Sequence, residues 1–159
     1  MEPIFKITTG IKLVGKRIVT SLAQNRTAEL WRSFMPHRKS ISNTVDTLLY
    51  SVEVYGSDYF TNYNPGAEFE KWAAIEVTGF DDLPDGMEAL TIPEGLYAVF
   101  IHKGPAAEGP KTFQYIFTQW LPQSGYVVDS RPHFEVMGEK YKADSPDSEE
   151  ELWVPVKKM

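Results

Sequence analysis

Four segments of the chain return in the same order 81 to 86 residues later, and this repetition restricts the fold more than any other feature of the sequence. Pairing strand-like Leu13 with Tyr97, helix-like Leu30 with Ile116, strand-like Glu53 with Glu135 and strand-like Trp72 with Trp153 gives offsets of 84, 86, 82 and 81. Like elements at a nearly constant separation mark a duplicated strand–helix–strand–strand unit. The pseudo-repeats run from about 11 to 80 and from about 88 to 157. They fill one domain over 1–159, the size at which a single core is usual.

Local patterns supply the elements. Lys12 to Ser21 mixes β-branched and basic residues and reads as a strand. From Thr27, a candidate N-cap, Leu30, Trp31, Phe34 and Met35 recur at helical spacing until Pro36. Thr47 to Tyr55 and Trp72 to Thr78 are strands separated by a loop rich in Gly, Asn and Pro. The second half answers with a strand at Gly95 to His102, a helix at Pro110 to Leu121, and strands at Pro132 to Met137 and Leu152 to Val156. One further short strand is expected at Met87 to Ile92. Two such units predict an α+β fold, an antiparallel sheet with both helices on one face and a central cleft between the halves.

Composition removes several classes of function. The chain has no Cys, so thiolate chemistry and Cys-based zinc sites are excluded. His37, His102 and His133 show no metal-ligand spacing, so no metal is expected, and no phosphate-cradling glycine motif points to a cofactor. Sixteen Lys and Arg against 22 Asp and Glu argue against direct contact with nucleic acid. No apolar run approaches the length needed to cross a bilayer, and a cytoplasmic location is the expectation. Aromatic residues are abundant at 13%, which raises the question of core against pocket.

Residues two apart in a strand share a face. On this rule Leu152, Val154 and Val156 oppose Glu151, Trp153 and Pro155, and Ala73, Ile75 and Val77 oppose Trp72, Ala74 and Glu76. Val52 and Val54 oppose Ser51, Glu53 and Tyr55, and Phe134 and Val136 oppose His133, Glu135 and Met137. Taking every aliphatic set as helix-facing places Trp72, Trp153, Tyr55 and Met137 with the carboxylates on the other side. Aromatic groups around one or two carboxylates are a composition suited to a small-molecule pocket. The helix aromatics Trp31, Phe34 and Trp120 are assigned to the core.

The segments GLYAVFIHKGPA, TFQYIFTQWLPQSGY, RPHFEVMGEKY and EEELWVPVK, with FEKWAAIEV, ISNTV and LYSVEVY in the first half, resemble the GyrI-like, or AraC-type, effector-binding family over about residues 8 to 157. That resemblance implies a tandem βαββ fold around a cleft that binds lipophilic, often cationic compounds in multidrug-sensing relatives, through aromatic walls and a buried glutamate matching Glu135. Stand-alone relatives include a gyrase inhibitor and hydrolases that open cyclopropane rings of genotoxic compounds. The implied options for this chain are a binder of flat lipophilic compounds, a cofactor-free cyclopropanoid hydrolase with Glu135 as the proton-handling group, or a protein partner of gyrase or of a separate regulator. Glu135, Trp153, Tyr97, Trp72, Tyr55 and Met137 form the candidate ligand set, with Tyr97 as a hydrogen-bond donor. Glu53, the repeat mate of Glu135, and Glu151, beside Trp153, are expected to be structural or solvent-facing.

Overall fold

A computed structural model describes residues 1–61, 64–142 and 144–159. Among the described residues nine strands form one antiparallel sheet: β1 (Ile4–Thr8), β2 (Ile11–Ser21), β3 (Leu49–Val54), β4 (Glu68–Glu76), β5 (Glu88–Ile92), β6 (Gly95–Lys103), β7 (Tyr126–Val128), β8 (His133–Met137) and β9 (Glu149–Lys158). Helix α1 (Thr27–Phe34) continues as a 3-10 turn (Met35–Ser40) containing Pro36. Helix α2 (Gly109–Tyr115) passes through a π-helical turn (Ile116–Trp120) into α3 (Leu121–Ser124), which Gly125 ends at a left-handed φ of 80°. Thr27 is the first helical residue rather than the cap; the cap position is Arg26, and the Thr27 N–H donates to Asn25 Oδ1.

The strand order β1-β6-β9-β8-β3-β4-β2-β5 carries the duplication. Each βαββ unit is preceded by a strand that crosses to the other half: β1 pairs with β6, and β5 pairs with β2. The two pairings are mates at an offset of 84, since Ile4 lies opposite Val99 and Gly15 opposite Glu88. An isolated bridge between Thr44 and Val77 occupies the place that the β7–β9 pairing holds in the second half. The pseudo-twofold axis therefore passes between β3 and β8, where Ser51 lies opposite Glu135 and Glu53 opposite His133.

Both faces of the sheet are apolar. On one face α1 packs Leu30 and Phe34 onto Val14, Ala73 and Ile75, while the helix of the second half packs Ile116 onto Ala98, Phe100, Leu152 and Val154. The other face gathers Leu13, Val52, Trp72, Ile92, Tyr97, Val99 and Phe134 into one cluster without a helix. A single cluster reaching from β5, at one end of the strand order, to β6, next to the other end, requires the sheet to curl upon itself. The short links Thr9–Gly10 and Pro93–Glu94 join those ends.

This curl corrects the assignment of faces. Val52 lies beside Trp72 and Phe134 beside Trp153, so the aliphatic residues of β3 and β8 point away from the helices, into the curl. Ser51, Glu53, His133 and Glu135 point toward the helices, on the side carrying Ala73 and Leu152. Alternation separates two faces, but where both are apolar only cross-strand register tells which is which.

Gly15 marks the closest strand approach. A Cβ there would lie 1.9 Å from the Ala73 carbonyl oxygen, so β2 would have to leave β4 to admit one. Gly15→Ala is expected to lower stability by at least about 1–3 kcal/mol, as overpacking does. Gly56→Ala, whose nearest neighbour would be a side-chain oxygen 3.6 Å away, should leave the urea midpoint nearly unchanged.

Candidate functional site

The two helices cover the outer strands of their face and leave β3 and β8 in the groove between them. Two glutamates face that groove from mated positions, Glu53 at 2% exposure and Glu135 at 7%. Lys71, opposite Glu53 on β4, places Nζ 2.7 Å from Glu53 Oε2 and 3.7 Å from Glu135 Oε1. Burial works against the ammonium, but the two carboxylates outweigh it and hold Lys71 protonated above its ordinary range.

Glu135 behaves differently. Burial comes first, then the charge of Glu53, and together they push its pKa well above the ordinary carboxylate value despite the opposing pull of Lys71. Glu53 Oε1 and Glu135 Oε2 are buried with no donor among the described residues. The two carboxyls are also hydrogen-bonding neighbours. A proton held by Glu135 and donated to Glu53 supplies the missing donor and removes one buried charge. Glu150 lies farther out on β9, opposite His102; burial raises its pKa while His102 and Lys71 oppose the rise.

Aromatic side chains close the groove over these carboxyls. Tyr55 stands edge-on to His133 at 4.9 Å and contacts Tyr59, Phe60 and Phe69 at 4.4 to 5.0 Å. Phe60 stacks on Phe117 at 5.2 Å and on His133 at 5.4 Å. The π-helical turn holds Phe117 on the groove side while Ile116 is buried beneath it and Trp120 packs edge-on to Phe100. Burial drives the His133 pKa down to about 3, so its ring is neutral at physiological pH. It raises Tyr55 well above its usual value, with the charges of Glu53 and Glu135 adding to the effect. Phe60 is 44% exposed and forms the outer surface of the stack.

Of the six candidate residues, the groove collects Glu135, Tyr55 and, at its β8 end opposite Leu49, Met137. Trp72 and Trp153 lie on the opposite face, each donating its indole N–H to the glutamate two residues earlier, Glu70 at 2.5 Å and Glu151 at 3.0 Å. Trp153 stacks on Phe134 at 5.0 Å. Tyr97 is fully buried on that same side, its hydroxyl donating to the Pro132 carbonyl at 2.7 Å and its ring covered by the Arg131 guanidinium. Glu151 is thus an indole acceptor, whereas Glu53 belongs to the groove. Lys71, Phe60 and Phe117 escaped the sequence reading as site residues, and His133 was placed on the Glu135 face without being assigned to the site. Lys71 carried a signal, a charge in step with Ala73 and Ile75 on an aliphatic face. Phe60 sits in a loop, where alternation gives no direction.

Among the described residues no group of His, Asp and Glu could hold a metal ion, and no helix is long and apolar enough to cross a membrane. A model of the Cass2 family, integron-associated effector-binding proteins, matches residues 7–156. The transcriptional regulator BrlR of Pseudomonas aeruginosa is 28% identical over 148 residues, which are 92% of this chain and 52% of the regulator, so the chain spans about half of that relative's length. A DNA gyrase inhibitor of Yersinia enterocolitica is 30% identical over 122 residues, 69% of this chain and 78% of the inhibitor. In fold the chain resembles SAV2435, solved bound to tetraphenylphosphonium, with a TM-score of 0.74 at 19% identity over 99% of this chain and 94% of that one.

The raised pKa of Glu135 has a consequence for stability. The folded carboxyl keeps its proton to a higher pH than the unfolded one, so folding takes up a proton in the interval above about 4.3, the ordinary Glu value, and stability falls as pH rises through it. Glu135→Gln removes that contribution while the amide still donates to Glu53. Its urea midpoint should exceed that of the parent at pH 8 by more than at pH 5. An equal difference at both values would contradict a protonated Glu135.

Proposed function

The chain belongs to the Cass2 family of integron-associated effector-binding proteins, and from that premise we propose that it binds lipophilic aromatic cations in the groove between its helices, with Glu135 as the counter-charge. The observation carrying this reading is a buried Glu135 carboxyl whose Oε2 has no hydrogen-bond partner among the described residues, on the side of the sheet where aromatic rings stack on His133. A delocalised organic cation loses little on leaving water and gains both the carboxylate and the ring faces, an exchange that a hydrated ammonium makes less readily. The proton on Glu135 leaves as the ligand's charge replaces it. Phe60 holds the place an aromatic ligand group would take, so entry displaces it from between Phe117 and His133. Tetraphenylphosphonium, found on SAV2435, is the natural probe.

Ring-opening hydrolysis of a strained compound would draw on the same Glu135 proton. Binding is the better fit to the groove, because the aromatic covering that suits a cation's rings also keeps water from the carboxyl. Modulation of gyrase is favoured by the match to the Yersinia inhibitor and would be exerted in the cytoplasm. A supercoiling assay on the parent and Glu135→Gln separates the two readings: inhibition that survives the substitution does not run through the groove carboxyl.

Calorimetric titration with tetraphenylphosphonium should give saturable binding to one site. Glu135→Gln should weaken it about tenfold or more, as loss of one partner in a buried charge pair does. Trp153→Phe, on the opposite face, should change it less than about twofold. Equal affinity of the parent and Glu135→Gln would refute the assignment.

A further inference from the structure

The mated glutamates stand in unequal surroundings. Opposite Glu53 on the neighbouring strand is Lys71; opposite Glu135, at the matching position 81 residues later, is Leu152. The duplication thus set two carboxylates about the axis, and the chain supplies one of them with a cation and the other with an aliphatic side chain. Lys71 Nζ sits 2.7 Å from Glu53 and 3.7 Å from Glu135, so its charge is committed to Glu53.

We infer that Lys71 fixes the charge of the ligand: by neutralising Glu53 it leaves the groove one unmatched carboxylate, so the site accepts aromatic monocations and rejects dications. The inference rests on the binding reading above and adds to it a rule of selection. In a water-poor site each uncompensated charge is costly, so the combined charge of site and ligand tends to zero. Glu53 and Lys71 sum to zero. Glu135 then takes one positive charge, a proton when the groove is empty and a monocation when it is filled. A dication would bury one surplus charge. Two neighbouring groups leave this count unchanged, since His133 is neutral and Tyr55 keeps its proton. Glu150 acts on Lys71 and Glu135 from β9, but it is only half-buried, so solvent screens its charge more than that of the buried carboxyls.

Two probes of nearly the same size and planarity differ by one charge, the monocation N-methyl-4-phenylpyridinium and the dication methyl viologen. The ratio of their dissociation constants reads the rule. The parent should prefer the monocation. Lys71→Met leaves two unmatched carboxylates and should shift the ratio toward the dication by about tenfold or more. The double variant Glu53→Gln/Lys71→Met, which removes the pair as a unit, should restore the parental preference. Glu53→Gln alone releases Lys71 to Glu135 and should cost the monocation about tenfold or more in affinity, and this variant carries the test if Lys71→Met does not fold. Circular dichroism checks that each variant is folded. An unchanged ratio in folded Lys71→Met, or an unchanged monocation affinity in folded Glu53→Gln, would overturn the rule. Failure of the parent to bind tetraphenylphosphonium would instead remove the binding reading on which it rests.

Discussion

Two carboxyls share one cation at the axis of a duplicated sheet, and the surrounding structure follows from keeping that arrangement dry. Glu53 and Glu135 reach the groove because β3 and β8 are adjacent and antiparallel about the axis. Lys71 reaches it because β4 pairs with β3 in the register that sets Lys71 opposite Glu53. Two buried anions with a single ammonium are one positive charge short, and burial together with the charge of Glu53 pushes the Glu135 pKa up toward taking a proton. Tyr55, Phe60, Phe117 and the neutral ring of His133 pack together on the same side of the sheet as these groups. A carboxyl inclined to hold a proton beneath aromatic rings is the physical basis of the proposal that an organic cation binds there.

The opposite face contributes rigidity. Its single cluster spans the curl, with Tyr97 tied to Pro132 and Trp153 stacked on Phe134. The Trp72–Glu70 and Trp153–Glu151 hydrogen bonds repeat the same device in each half. Phe134 is the central residue of this face and Glu135, its neighbour in sequence, the central residue of the groove. The strand that fixes the core therefore also aims the carboxyl.

Much of this was legible in the sequence. The repeat offsets identified the βαββ units and made Glu53 the mate of Glu135, and the linker between the halves showed the short strand before the second half, whereas the adjacency of the two glutamates appears only in the β3–β8 pairing. The same offset carried back 84 residues from Glu88–Ile92 falls on Ile4–Thr8, so β1 was implied by the duplication although its five residues are too few for a periodic signal. The faces were not legible from alternation, because a sheet that curls upon itself buries both sides and Val52 resembles Val154 in character. Register settles the matter, and register is a long-range property. The partnership of Glu53 with Lys71 and the placement of Phe60 over His133 depend on it too. Trp72 and Trp153 drew notice as matched indoles, but their match reflects the common core packing of the two halves.

The central claim is that the ligand site lies on the helix-bearing side of β3 and β8, and a crystal structure of the tetraphenylphosphonium complex tests it most directly. The account predicts the phosphonium nearest the Glu135 carboxylate, with Phe60 displaced from between Phe117 and His133. A ligand seated against Trp153 and Phe134, or in the surface pocket formed by Phe5, Tyr115, Trp120 and Tyr126, with Phe60 undisturbed, would contradict it.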